Sequence, residues 1–177
     1  LFYKSFAEMP KRVVIHKRTS FKQEEIKGLT ESLSSAGIKD IELIEISYEE
    51  DVKCFAYNKN LTEIDGFPVK RGLCFPVNKN TMLLFTHGIA PSVQNPNFNY
   101  IQGGKSIPLP LKIVSHYGCG SMQQIAKEIL GLTKMNWNSF GLYTKLPCTI
   151  DSSNEIARIG RFLSKFEGTL YEYRFFM

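Results

Sequence analysis

A chain of 177 residues, 43% apolar and 22% charged, is long enough to bury a core and too ordinary in charge to be a disordered protein. No run approaches the roughly 18 apolar residues of a membrane span, and the N-terminus has no signal-peptide pattern, so one cytoplasmic globular domain is expected. The net charge of +5 is uneven: residues 1–50 carry 8 Lys/Arg against 9 Asp/Glu, residues 100–177 carry 9 against 5, and the basic second half favours a phosphate-rich partner.

In chain order, Lys11 to His16 is predicted as a buried strand around Val13-Val14-Ile15. Ser20-x-x-Gln23 matches a capping box, Ile26, Leu29, Leu33 and Ala36 mark a helical face, and Gly37 is a natural C-cap. Ile41 to Ile46 is a second strand. Strand, helix and strand at this spacing predict a right-handed βαβ unit with neighbouring parallel strands. Short strands follow at Lys53–Tyr57, Leu73–Val77 and Met82–Phe85, with turns at Asp65-Gly66 and Asn78-Lys79-Asn80.

Gly88 to Gly104 is a loop. Its end, Gly104-Lys105-Ser106, shares the close of a P-loop, but Asn99 stands where the motif needs glycine and Ile107-Pro108-Leu109-Pro110 replaces the helix. A nucleotide-triphosphate site is therefore excluded, while Lys105 remains a candidate phosphate contact. Ser106 to Ser115 is extended, with its prolines confining it to an edge or bulge at the start. Gly118-Cys119-Gly120 turns the chain, and Ser121-x-x-Gln124 caps a helix with Met122, Ile125, Ala126, Ile129 and Leu130 on one face.

Ser152-x-x-Glu155 reads as the cap of a last helix, with Ile156, Ile159, Leu163 and Phe166 on one face. That start places Asn154 in the first turn, where backbone N–H groups and the dipole favour a phosphate or a metal-bound oxygen. Read from residues alone, 129–163 is two helices joined by a loop. Cys54, Cys74, Cys119 and Cys148 are far apart and unpaired in pattern, so reduced thiols are expected, and His116 with Cys119 lacks the second pair of a zinc site. His16-Lys17-Arg18-Thr19 closes a strand, either as a solvated end or as a basic surface for a nucleic-acid backbone. The chain begins at Leu1 without an initiator methionine, as a fragment or processed product would.

Several stretches occur in a telling order. They are Val13-Val14-Ile15-His16-Lys17, Arg71-Gly72, Ile107-Pro108-Leu109-Pro110-Leu111, Leu132-Thr133-Lys134-Met135-Asn136-Trp137-Asn138, Leu146-Pro147-x-Thr149-Ile150, Ile156-Ala157 and the apolar end Phe175-Phe176-Met177. Together they resemble the last third of a PIWI domain, as in prokaryotic Argonaute proteins, over roughly Pro10 to Met177. The resemblance implies an α/β, ribonuclease-H-like fold, a mixed sheet flanked by helices, with residues 1–177 forming the C-terminal portion of the domain within a longer protein.

The same resemblance implies a site. Nuclease-active members carry a metal-binding aspartate just after the first strand, where this chain has Arg18 or Thr19; a cation there repels Mg²⁺. Asn154, a neutral donor, aligns with the fourth ligand. A degenerate, nuclease-inactive centre follows. Backbone contacts are implied at Lys17, Arg18, Lys105, Lys134, Ser139, Lys145 and Arg174, and at Asn138, where many relatives have arginine, while Trp137 reads as core. The terminal carboxylate of Met177, beside buried Phe175 and Phe176, is implied to bind Mg²⁺ under a guide's 5′-phosphate, with no organic cofactor. The expected task is to hold a short guide strand and its complementary target, in defence against foreign nucleic acid. The expected partners are the MID and remaining Argonaute domains and an associated effector protein, with no membrane. Two alternatives stay open: an active metal-dependent, guide-directed endonuclease, and a protein-interaction module without nucleic-acid binding.

Overall fold

In the computed structural model, which describes residues 8–64, 68–90, 107–136, 141 and 143–160, two adjacent strands set the architecture. β1 (Arg12–Lys17) and β2 (Asp40–Tyr48) run parallel, Val13 opposite Ile41 and Ile15 opposite Leu43. Their side chains alternate between two cores. Val13, Ile15, Ile41 and Leu43 pack with Ile26, Leu29 and Leu33 of helix α1 (Gln23–Ser35), which links the two strands. Val14, Ile44 and Ile46 pack on the other face with Ile125, Ala126 and Ile129 of α2 (Met122–Leu132), and with Ile150 of α3 (Cys148–Gly160). Burying both faces of the central strands requires helices on both sides of the sheet.

β3 (Cys74–Asn78), β4 (Thr81–Leu84) and β5 (Leu111–Tyr117) complete a five-stranded sheet in the order β1-β2-β5-β4-β3. Every pairing after the first is antiparallel. The mixed α/β sheet flanked by helices and the parallel βαβ unit are as expected from the sequence. β3 is exposed at the edge, where Pro76 withholds a donor from any further strand.

The helix ends depart from expectation in instructive ways. α1 starts at Lys22, not Ser20. Glu25 accepts the Lys22 backbone N–H at 2.8 Å, and Ser20 instead donates to Glu45 at 2.8 Å. Ser121 does stand at the start of α2, but its hydroxyl makes no capping bond, and Gln124 donates to Glu128. The largest correction concerns α3. It begins at Cys148, where the Pro147 carbonyl accepts the N–H groups of Ile150 and Asp151. Ser152 is therefore buried inside the helix, and Asn154 lies beyond its first turn, exposed. Ile156 and Ile159 face solvent, whereas Cys148 and Ile150 are buried. Of the predicted strand Lys53–Tyr57, only Tyr57 pairs among the described residues, in an isolated antiparallel bridge to Ile64. The Asp65-Gly66 turn, Leu163 and Phe166 lie outside the described residues.

α1 closes as a Schellman motif: Gly37, at φ +85°, donates to Ser34 and Ile38 donates to Leu33. An added Cβ at Gly37 meets nothing within 4 Å, so its cost is conformational alone. Gly37→Ala is expected to lower the unfolding free energy by about 1 kcal/mol, read from urea denaturation.

Candidate nucleic-acid interface

β1 and β2 end on the same side of the sheet, beside the start of β5, where Tyr48 pairs with Leu111. Strand ends of this kind are where open α/β sheets present their chemistry. Three even-numbered side chains of β1 and its extension, Val14, His16 and Arg18, should share the face of α2 and α3 by strand alternation. His16 Nδ1 lies 2.9 Å from Thr149 Oγ1, joining the end of β1 to the first turn of α3. Burial pushes this imidazole down to about 4, so it is neutral at pH 7.

Arg18 follows, exposed, with its guanidinium carbon 5.8 Å from the centroid of the Tyr48 ring. Such a stack is worth about 0.5–1 kcal/mol at an exposed site and restrains the guanidinium without neutralising it. Burial holds the Tyr48 phenol proton more tightly, and nearby Asp151 adds to that. Burial also raises the Asp151 carboxyl, against a hydrogen bond from Thr144. Lys17 points elsewhere: its ammonium sits 2.7 Å from both Glu25 oxygens and above the Phe21 ring.

A second basic element is built where α2 ends. The Thr133 carbonyl accepts the Thr144 N–H at 2.8 Å, and buried Thr86 donates to the Lys145 carbonyl at 2.7 Å. Lys134 and Lys145, each next in sequence to a member of that Thr133–Thr144 pair, are exposed. Neither they nor Arg18 has an ion-pair partner among the described residues, in contrast to Lys17 with Glu25. Exposed lysines and arginines are the chemistry of phosphate-backbone contacts, while the Thr133 and Thr144 hydroxyls beside them are taken up by backbone carbonyls.

The structure thus places Arg18, Lys134 and Lys145 on exposed ground and Lys17 in an ion pair. Asn154 sits on the outer side of α3, next to the Glu155–Arg158 pair. Lys105, Trp137, Asn138, Ser139, Arg174, Phe175, Phe176 and Met177 lie outside the described residues. Among the described residues no group of three His, Cys, Asp or Glu side chains could hold a metal ion; His116 is engaged with Glu45 at 2.8 Å. Tyr48, Thr149 and Asp151 were not legible as site residues. The one available signal was parity, which puts Tyr48 on the face of Ile44 and Ile46.

No family model matches the chain, and no curated protein sequence does either. Solved structures do. Clostridium butyricum Argonaute bound to a guide DNA and a 19-mer target DNA matches 91% of this chain with a TM-score of 0.70 at 24% identity. Aquifex aeolicus Argonaute matches 91% with a TM-score of 0.58 at 20% identity. A structure of Aa-Ago with externally bound siRNA matches 88% with a TM-score of 0.60 at 22% identity. The chain has an Argonaute-like fold. It spans 19%, 19% and 18% of those proteins, about a fifth of their length.

Proposed function

We propose that this chain is the C-terminal portion of a PIWI domain within a longer prokaryotic Argonaute-like protein, and that it holds a guide strand and its target without cutting them. The observation that carries the reading is Arg18. At the end of β1 its exposed guanidinium rests on Tyr48, with no ion-pair partner among the described residues. A fixed cation there grips a phosphate backbone, whereas the family's chemistry requires a carboxylate that gathers divalent ions. Arg18 and the neutral Asn154 do not fit Mg²⁺, which takes carboxylate and water oxygens in tight octahedral geometry. No catalytic step is therefore derived through a metal.

Lys134 and Lys145 are a second pair of exposed cations, and they and the remaining implied contacts, Lys105, Asn138, Ser139 and Arg174, belong to the same proposal. So does a Mg²⁺ ion shared between the Met177 carboxylate and a guide 5′-phosphate. Completion of the site by MID and other domains, an effector partner and a role in defence are further parts of this reading. No helix among the described residues is long and apolar enough to cross a membrane.

Short single-stranded oligonucleotides are expected to bind with strong salt dependence. Arg18→Ala should flatten the plot of log affinity against log salt by about 0.7. Binding that ignores salt, or guide-directed cleavage by the complete protein in Mg²⁺ or Mn²⁺, would sink the proposal.

A further inference from the structure

Arg71, in the turn before β3, is where three segments distant in sequence meet. Its Nη2 donates to the Leu130 carbonyl at 3.1 Å and to Thr133 Oγ1 at 2.6 Å, at the C-terminal end of α2. A cation there suits the negative end of the helix dipole and joins the Thr133 hydroxyl, which donates at 2.7 Å, on the Leu130 carbonyl. The guanidinium carbon also lies 4.6 Å from the centroid of the Tyr143 ring. Tyr143 in turn donates its hydroxyl to the Gly88 carbonyl at 2.9 Å and meets the His87 ring edge-on at 5.1 Å.

From Arg71 the chain of contacts runs outward to Lys145. Arg71 fixes Thr133 and Tyr143. The Thr133 carbonyl accepts both the N–H and the hydroxyl of Thr144, at 2.8 and 3.2 Å. Lys145 comes next, its carbonyl held by Thr86 and its side chain exposed. The ammonium therefore leaves a backbone that is tied on both sides, and a tied backbone loses less entropy on gripping a phosphate.

This arrangement is poorly suited to stabilising the fold. Arg71 Nε is buried with no hydrogen-bond partner among the described residues, as is His87 Nε2, and burial lowers the Arg71 pKa. An unmet buried donor costs free energy, and a hydrocarbon of similar volume often replaces a buried charge without loss. What hydrocarbon cannot do is stack on Tyr143 while its edge donates to α2. Lysine cannot do both either, because its charge is compact and carries no planar fork.

We infer that Arg71 is a positioning residue for the phosphate contact of Lys145, acting through Tyr143 and the Thr133–Thr144 junction. The inference rests on the nucleic-acid reading above and names the device that orders one of its donors.

The test uses the full chain in four forms: wild type, Arg71→Met, Lys145→Ala and the double variant. Two readouts are taken, hydrogen exchange at the Thr144 amide and anisotropy of a short labelled single strand across a salt series. Arg71→Met should leave the midpoint of global unfolding unchanged yet speed Thr144 exchange about tenfold. Lys145→Ala should weaken wild-type binding about threefold and change the Arg71→Met background hardly at all. Arg71→Lys should behave as Arg71→Met. Tyr143→Leu, which removes the stacking face, should reproduce the pattern should Arg71→Met fail to fold.

Unchanged Thr144 exchange, an equal cost of Lys145→Ala in both backgrounds, or wild-type behaviour from Arg71→Lys would each overturn the inference. Faster Thr144 exchange in a protein whose wild type binds no oligonucleotide would instead overturn the nucleic-acid reading, and the functional part of the inference with it.

Discussion

Arg12→Ala should lower the unfolding free energy by about 3–5 kcal/mol, more than any surface substitution in this chain. The reason lies in Glu42, on β2, whose side chain is 2% exposed and pairs with the Arg12 guanidinium. Arg12 also donates to both oxygens of Glu128 on α2, at 2.7 and 3.0 Å, so one side chain joins two strands and a helix. Removing it strands a buried carboxylate. Nor can Glu42 swing out to water: Gly118 and Gly120 pass so close that a Cβ at Gly118 would lie 2.7 Å from Glu42 Cγ. Arg12→Met paired with Glu42→Gln keeps the shapes and removes both charges. That double variant should recover most of the loss in urea unfolding, with an unchanged denaturant slope. A double variant no better than Arg12→Ala would mean that packing, not the stranded charge, sets the cost.

What could be read from the sequence divides along physical lines. Val13-Val14-Ile15 and Ile41 to Ile46 were legible because strands that pack on both faces are rich in branched apolar residues, even with Glu42 and Glu45 set among them, and Gly37 because few other residues accept its backbone angle. Caps were less legible. Ser152-x-x-Glu155 has the composition of a helix start, yet the chain enters α3 at Cys148, where Cys148 and Ile150 are buried in the core and the Pro147 carbonyl accepts the first-turn N–H groups of Ile150 and Asp151. Basic residues could be nominated singly from the sequence, but not their partners. Lys17 and Arg18 are neighbours, and strand alternation sends one to Glu25 and the other to Tyr48. The grip of Arg71 on Thr133 spans 62 residues and that of His16 on Thr149 spans 133, distances over which local pattern carries no information.

His16 gives the last expectation, a loss of stability of up to about 3 kcal/mol as pH falls from 6.5 toward 4. Burial is the main cause of its lowered pKa. Glu128 on α2 opposes the shift, and Arg12 on its own strand adds to it. The folded protein therefore keeps His16 neutral down to about 4, whereas the unfolded chain takes up a proton near 6.5. Between those values the unfolded state binds more protons, so the stability present above pH 6.5 drains away as acid is added. Other groups around the site act lower in the range. Arg12 and then Gln124 hold the Glu128 carboxyl below its ordinary value, so its contribution is lost only as pH falls through the carboxylate range. Asp151 on α3 is shifted upward by burial and works in the opposite sense. His16→Gln keeps a polar partner for Thr149 and cannot titrate. Urea midpoints for that variant should fall less steeply than those of wild type between pH 6.5 and 4.5, the decline that remains belonging to His87, whose imidazole pKa is also lowered by burial. A parallel decline in both proteins would show that the His16 imidazole is already charged, or already solvated, in the native state.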